Sequence, residues 1–280
     1  MRLNQTPLQR KSHRSLALRL LLILLSLALL GGCNPAPSQT ENPTVSTTAD
    51  AATTTTPDAP TSTTPQVQKK RVAITFDDGP RSYQSQTKKI VDELDQYGFT
   101  ATFFVVGNRI ESDGTLPYIV EHGSEIGIHG YTHRTDRYFD TCSDADYEYE
   151  ISQTAAAIQK QVPGYDINLM RPVGGRISSE RERSSPYSII LWNVDSEDWK
   201  NTYYSGISDE AANAKVNTIV ENVMSTVSDG SIILMHDIYE STYDATKIIL
   251  KRLYDEGYEV VSVSELLGDS LIPGQRYREK

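Results

Sequence analysis

Cysteine is nearly absent from this 280-residue chain: Cys33 and Cys142 are the only two, too few for a disulfide scaffold. A basic excess is also missing. Lys and Arg number 27 against 37 Asp and Glu, a formal charge of −10, whereas a nucleic-acid binder presents a positive field. No apolar run reaches the ~20 residues that a membrane-spanning helix needs. Thirteen prolines and seventeen glycines are ordinary for a globular chain, which excludes collagen-like and wholly disordered readings. No internal repeat is visible.

The first seventy residues read as address and tether. Residues 1–19 carry Arg2, Arg10, Lys11, Arg14 and Arg19 and no acid, and a short apolar run follows over residues 20–30. A basic start, a short apolar core and small residues before a cut form the pattern of an export signal. Leu30-Gly31-Gly32-Cys33 resembles the lipobox of bacterial lipoproteins. That resemblance implies a signal peptide over residues 1–32, lipidation of Cys33 and a chain held on the outer face of a membrane. An uncleaved anchor is the alternative, and it leads to the same side. Cleavage there takes the formal charge to about −15. Residues 34–69 hold eleven threonines, six prolines and no aromatic residue. Such a stretch cannot bury enough apolar surface to offset its ordering entropy, so a disordered tether is expected over residues 33–69. Cys142, in the polar run Asp140-Thr141-Cys142-Ser143-Asp144, reads as a loop residue without a role.

Beyond residue 70, strands and helices alternate. Strands are expected at 71–76, 101–106, 125–128, 168–170, 188–194, 231–235 and 260–263, and helices at 84–97, 116–121, 143–161, 208–227 and 241–256. Ser143 is placed to cap the third helix. This rhythm predicts a parallel α/β sheet with crossover helices, and six to eight units over about 200 residues suit a barrel. The domain is expected over residues 70–268, with 269–280 as a tail.

In a barrel, chemistry collects at the C-terminal ends of the strands. The polar residues do so here. Asp77 and Asp78 follow the first expected strand, and His129 the third. Arg171 follows the fourth, Asp195 and Asp198 the fifth, and His236 the sixth. His129 and His133 stand four apart, and on a helix or tight helical turn that spacing puts both imidazoles on one side. Two neutral imidazoles plus a carboxylate make a three-ligand metal site with a place for water. A lone pair of this spacing is common on surface helices, so it gains weight only from Asp77-Asp78. Adjacent carboxylates diverge: one can bind a metal while the other takes a proton from water whose pKa the metal lowers. Asp77-Asp78-Gly79-Pro80 also reads as a plain β-turn. That reading accounts for Gly79-Pro80 but not for two acids directly after Ile74-Thr75-Phe76.

Thr75-Phe76-Asp77-Asp78-Gly79-Pro80 resembles the first motif of the NodB-homology polysaccharide deacetylases, carbohydrate esterase family 4. His129–His133 resembles the second, Arg171-Pro172-Val173-Gly174-Gly175 the third, Asp195-Ser196-Glu197-Asp198-Trp199 the fourth and Leu234-Met235-His236 the fifth. All five stand in family order. The resemblance implies a distorted (β/α) barrel of about seven parallel strands. It implies one divalent metal, zinc first and cobalt or nickel otherwise, on Asp78, His129 and His133. Asp77 is then the general base and His236 the general acid. Arg171 holds Asp77 charged and oriented, and Asp198 supports His236. Trp199 and Leu234 line the acetyl pocket, and a backbone N–H of the Arg171 loop serves the oxyanion. Two positions depart from the pattern. Gly130 replaces a hydroxyl residue, and Gly174 stands where tyrosine is common, which opens the wall of the sugar groove.

The function so implied is metal-dependent removal of N-acetyl groups from an amino-sugar polysaccharide, peptidoglycan or a chitin-like oligomer, with acetate released. The expected partners are that polymer and, through the lipid, a membrane; no nucleic acid is expected. An O-acetyl xylan esterase of the same fold is the alternative within the enzymes. A silent wall-binding lipoprotein and a solute-binding lipoprotein are the alternatives outside them. The first predicts damaged motifs, and the second needs two lobes.

Overall fold

The computed structural model describes residues 69–81, 85–203 and 206–280. The export signal, Cys33 and the tether expected within residues 1–68 lie outside these described residues. Among the described residues no helix is long and apolar enough to cross a membrane.

The first strand, β1 (Lys70–Asp77), is buried from Val72 onwards. A parallel strand covered on both faces acquires such an unbroken apolar run. Alternation still sorts its side chains. Val72, Ile74 and Phe76 join the layer between sheet and helices. Ala73 joins a separate inner cluster with Phe104, Leu169, Ile190, Ile232 and Val261. Thr75 and Asp77 share the face of Ala73, so the inner face turns polar only at its end.

After β1 come α1 (Thr87–Asp95), β2 (Thr102–Val105), α2 (Thr115–Glu121), β3 (Glu125–Ile128), α3 (Asp144–Gln161) and β4 (Leu169–Met170). Then follow α4 (Ser179–Ser184), β5 (Ser188–Ile190), β6 (Val194–Asp195), α5 (Asp209–Met224) and β7 (Ile232–His236). The chain finishes with α6 (Glu240–Asp255), β8 (Tyr258–Val261), α7 (Val263–Leu267) and β9 (Arg276–Tyr277). The helices bury apolar stripes against the sheet; α1, for example, buries Thr87, Ile90, Val91 and Leu94. Ser143 caps α3 as expected, accepting from Asp146 N at 3.1 Å.

The sheet runs β6-β7-β1-β2-β3-β4-β5-β9 with every pair parallel, and β8 pairs the start of β1. This is the expected distorted barrel, with nine strands among the described residues instead of seven because residues 188–194 divide into two strands and β9 adds another. The single strand expected over 188–194 is broken into β5 and β6. The Ile190 and Leu191 carbonyls at the break accept from Arg171 Nε and Nη2, both at 3.0 Å, and so leave the ladder.

Residues 269–280 are not a tail. Ile189 N donates to Gln275 O and Leu191 N to Tyr277 O, both at 2.8 Å. Glu279 bridges to Ser231, and Lys280 N donates to Gly230 O at 2.9 Å, beside the start of β7. The C-terminal segment thus ties the two ends of the sheet together. Deleting residues 275–280 is expected to cost about 1–3 kcal/mol, from two unmade bonds at buried strand positions. Thermal denaturation checks this; an unchanged midpoint would mean that the segment is a tail after all.

Candidate active site

Asp77 is the last inward residue of β1, and the register sets it directly beside His236, the last residue of β7. Two strand ends therefore bring a carboxylate and an imidazole to one rim.

Asp77 is nearly buried, and its Oδ1 accepts from Arg171 Nη1 at 2.9 Å. Arg171 is fully buried. The same Nη1 also donates to Thr75 Oγ1 at 2.7 Å, and the guanidinium lies over the Phe104 ring at 4.3 Å. Burial pulls the Arg171 pKa down, and the Asp77 charge opposes that. The second Asp77 oxygen, Oδ2, faces His129 Nε2 at 3.7 Å.

Asp78, His129 and His133 form a cluster whose ligand atoms all lie within 4.8 Å of one another. Asp78 Oδ1 is 3.6 Å from His129 Nε2 and 2.8 Å from His133 Nε2. Ligands at ~2.1 Å on a tetrahedron lie about 3.4 Å apart, so this spacing fits one small cation. Two further observations support that fit. Asp78 Oδ1 is buried and accepts no hydrogen bond. His129 Nδ1 meets the Arg171 carbonyl at 2.7 Å, which assigns the proton to Nδ1 and turns a lone pair on Nε2 towards Asp78. Burial lowers the His129 pKa despite both aspartates and so favours the neutral ring that a metal needs. Burial pushes the Asp78 carboxyl up, but the His133, His129 and His236 imidazoles outweigh it and hold it well below the usual range.

His133 does not reach this cluster through a helix. Residues 129–134 form a loop with Gly130 at φ 85° and His133 at φ 53°. The Tyr131 and Thr132 N–H groups donate to Glu150 on α3, which prevents a helical turn. Asp78 (φ 81°), His133 and Glu197 (φ 50°) are the only non-glycine residues with positive φ among those described, and all three lie in the rim loops. Such strain persists only where surrounding contacts enforce it.

His236 Nδ1 pairs with Asp198 Oδ1 at 2.7 Å. Asp198 is fully buried and satisfied: His236 N, Thr242 Oγ1 and Trp199 N also donate to it, at 2.7, 2.6 and 2.9 Å. Burial alone would lower the His236 pKa, but the Asp198 carboxylate raises it to about 10.

Leu234 is buried beside Thr75 in the register of β1 and β7, whereas Trp199 is 51% exposed, with Lys200 Nζ 4.9 Å from its ring centroid. Gly174 has φ 62°, and a Cβ there would lie 3.1 Å from the Tyr138 ring, so a side chain at this left-handed position would need that ring to shift.

Sequence reasoning missed four supporting residues. Thr75 was legible, two positions before Asp77 on the same face. Glu150 was legible as an acid on the buried stripe of α3, with Tyr147, Ile151, Thr154 and Ile158. Arg109 donates to the Asp78 carbonyl at 2.8 Å from a distant turn and left no signal. Asp237 is buried against Gly79, where any Cβ would overlap its carboxyl, and burial pushes its pKa up to about 7.

Removing the guanidinium strands Asp77 inside the barrel. Arg171→Ala is expected to lose about 3–5 kcal/mol of stability, the usual result of breaking one side of a buried pair. Denaturant unfolding checks it, and a loss below 1 kcal/mol would contradict the burial argument.

Residues 64–185 match the family described as polysaccharide deacetylase. The chain is 38% identical over 199 residues to a peptidoglycan-N-acetylmuramic acid deacetylase of Bacillus subtilis, PdaC, covering 71% of this chain and 39% of that protein. It therefore spans about two fifths of that relative's length. The solved structure of PdaC superposes with a TM-score of 0.61, covering 71% of this chain and 90% of that one at 37% identity. A peptidoglycan-N-acetylglucosamine deacetylase of Bacillus cereus is 34% identical over 211 residues, covering 71% of this chain and 89% of that protein. A family 4 acetyl xylan esterase of Clostridium thermocellum, solved with a cobalt ion, superposes with a TM-score of 0.63 at 28% identity, covering 75% of this chain and 98% of that one. Fold, motif order and identity over nearly the whole of a curated relative agree: the chain belongs to the polysaccharide deacetylase family, the NodB-homology enzymes of carbohydrate esterase family 4.

Proposed function

We propose that this chain hydrolyses N-acetyl groups on an amino-sugar polymer, peptidoglycan first, with a divalent ion held by Asp78, His129 and His133. The observation that carries the reading is the rim itself. A carboxylate tied to Arg171 and an imidazole tied to Asp198 are register partners on neighbouring strands, beside a three-ligand cluster. The names of the Bacillus relatives support the substrate class.

When bound, the ion (zinc by its ligand set) supplies Lewis acidity and makes water a nucleophile near neutral pH. Asp77 takes the proton from the attacking water. Arg171 occupies its Oδ1 and leaves Oδ2 facing the ligand cluster. A backbone N–H of the turn after Arg171, at Val173 or Gly174, steadies the developing oxyanion. His236 gives its Nε2 proton to the departing amine, and Asp198, paired with Nδ1, keeps the ring protonated until then. Leu234 and Trp199 bound the space for the acetyl methyl. The lipobox at Cys33 supports an extracytoplasmic, lipid-anchored enzyme that reaches the wall on its tether.

Asp77→Asn is expected to keep its metal and lose at least ~100-fold in acetate release from peptidoglycan, the usual worth of a positioned base. His129→Ala is expected to lose the metal as well. Near-normal turnover in Asp77→Asn would refute the assignment of the base.

The pH dependence has a definite sign. The proton-donating form of His236 is present at neutral pH and disappears as pH rises towards its folded value of about 10. Asp198→Asn removes the largest of the charges that raise this pKa, leaving those of Asp78 and Asp77 against the burial that lowers it, so the alkaline limb of kcat should move to lower pH. A pH–rate profile in which the limb stays put would remove His236 from the acid role.

The likeness to the xylan esterase favours a second reading, acetyl-ester hydrolysis at the same groups. An alkoxide leaves with less need of a proton than an amine does. Greater acetate release from acetylated xylan than from N-acetylglucosamine polymers would favour the ester, and His236→Ala should then cost little.

A further inference from the structure

Glu150 is a buried acid outside the catalytic set. It is 8% exposed and stands on the core-facing stripe of α3. A carboxylate so placed needs strong donors, and it takes three from the loop between the two histidine ligands. Oε2 accepts from Tyr131 N at 2.6 Å and Thr132 N at 2.8 Å, and Oε1 accepts from Thr132 Oγ1. The approach depends on Gly130, whose φ is 85°; a Cβ there would lie 3.1 Å from Oε2 and 3.2 Å from the Phe139 ring.

Two successive N–H groups converging on one oxygen fix the course of the loop. His133, the next residue, is held at φ 53°, a conformation an unrestrained histidine seldom keeps. From this geometry we infer that Glu150 is a positioning residue: it pre-sets His129 and His133 for the ion, so metal affinity depends on a carboxylate that does not touch the metal. The inference rests on the metal reading of Asp78, His129 and His133. It also accounts for glycine at position 130, where a side chain would push the carboxylate away.

The test is metal affinity, measured on the full chain stripped by chelator. Cobalt(II) binding is followed by its visible spectrum and zinc binding by competition with a chromophoric chelator. Glu150→Ala and Glu150→Asp are expected to weaken both by 10–100-fold, as loss of a group supporting a ligand does. Glu150→Gln is expected to recover most of the affinity, because its amide oxygen still accepts both N–H groups. Ser143→Ala is the control: it uncaps the same helix and should lower the melting temperature without changing affinity. Folded Glu150→Asp with wild-type affinity, or an equal loss in Ser143→Ala, overturns the inference. Glu150→Asp, which keeps the charge but shortens its reach, decides the matter if Glu150→Ala fails to fold. Wild-type protein that binds neither ion overturns the metal reading itself. Tight wild-type binding with unchanged variants overturns only the role of Glu150.

Discussion

The whole rim depends on one buried ion pair. Arg171 is fully enclosed, and taking a guanidinium out of water costs several kcal/mol unless its donors are met. They are met by Asp77 and Thr75 on β1 and by the Ile190 and Leu191 carbonyls at the end of β5. The backbone of the same residue works in parallel. Its N–H donates to Ile128 O, and its carbonyl meets His129 Nδ1. One residue therefore orients the carboxylate proposed as base, selects the tautomer of a proposed ligand and breaks a strand. A change at Arg171 cannot be confined to one of these roles.

Asp198 is the counterpart on the other side. It is fully buried, takes four donors and raises the pKa of the imidazole that stands beside Asp77. The two pairs separate the properties of neighbouring groups. Asp77 is fixed by a cation and His236 by an anion, though they are partners in one register. A carboxylate and an imidazole can sit side by side because each answers to a different buried charge. The strained backbone at Asp78 and His133 is the cost of aiming loop side chains at this space.

Much of this was legible in the residues. The strand-to-helix rhythm, the collection of polar groups at strand ends and the five motifs located the barrel and the residues gathered at its edge, Asp77, Asp78, His129, His133, Arg171, Asp198 and His236, but not Thr75, Glu150, Arg109 or Asp237 behind them. What failed did so for local reasons. The four-residue spacing of His129 and His133 suggested a helical turn, but Glu150, far along the chain, holds the backbone in another form. Residues 188–194 read as one apolar strand, but Arg171 takes the carbonyls at the break. The last residues are polar and looked like a tail, although their main chain continues the sheet and their side chains carry no sign of it. Arg109 acts on Asp78 through a backbone carbonyl, a contact no residue pattern encodes. In each case the deciding partner is distant in sequence and bonds to main chain.

The central claim is that hydrolysis needs one cation at Asp78, His129 and His133. The most direct measurement is acetate release from purified peptidoglycan by chelator-stripped protein as zinc is added back. The account predicts no release without metal and a rise that saturates at about one equivalent per chain. Release that is unaffected by the chelator, or none at any zinc level with metal bound, would contradict it.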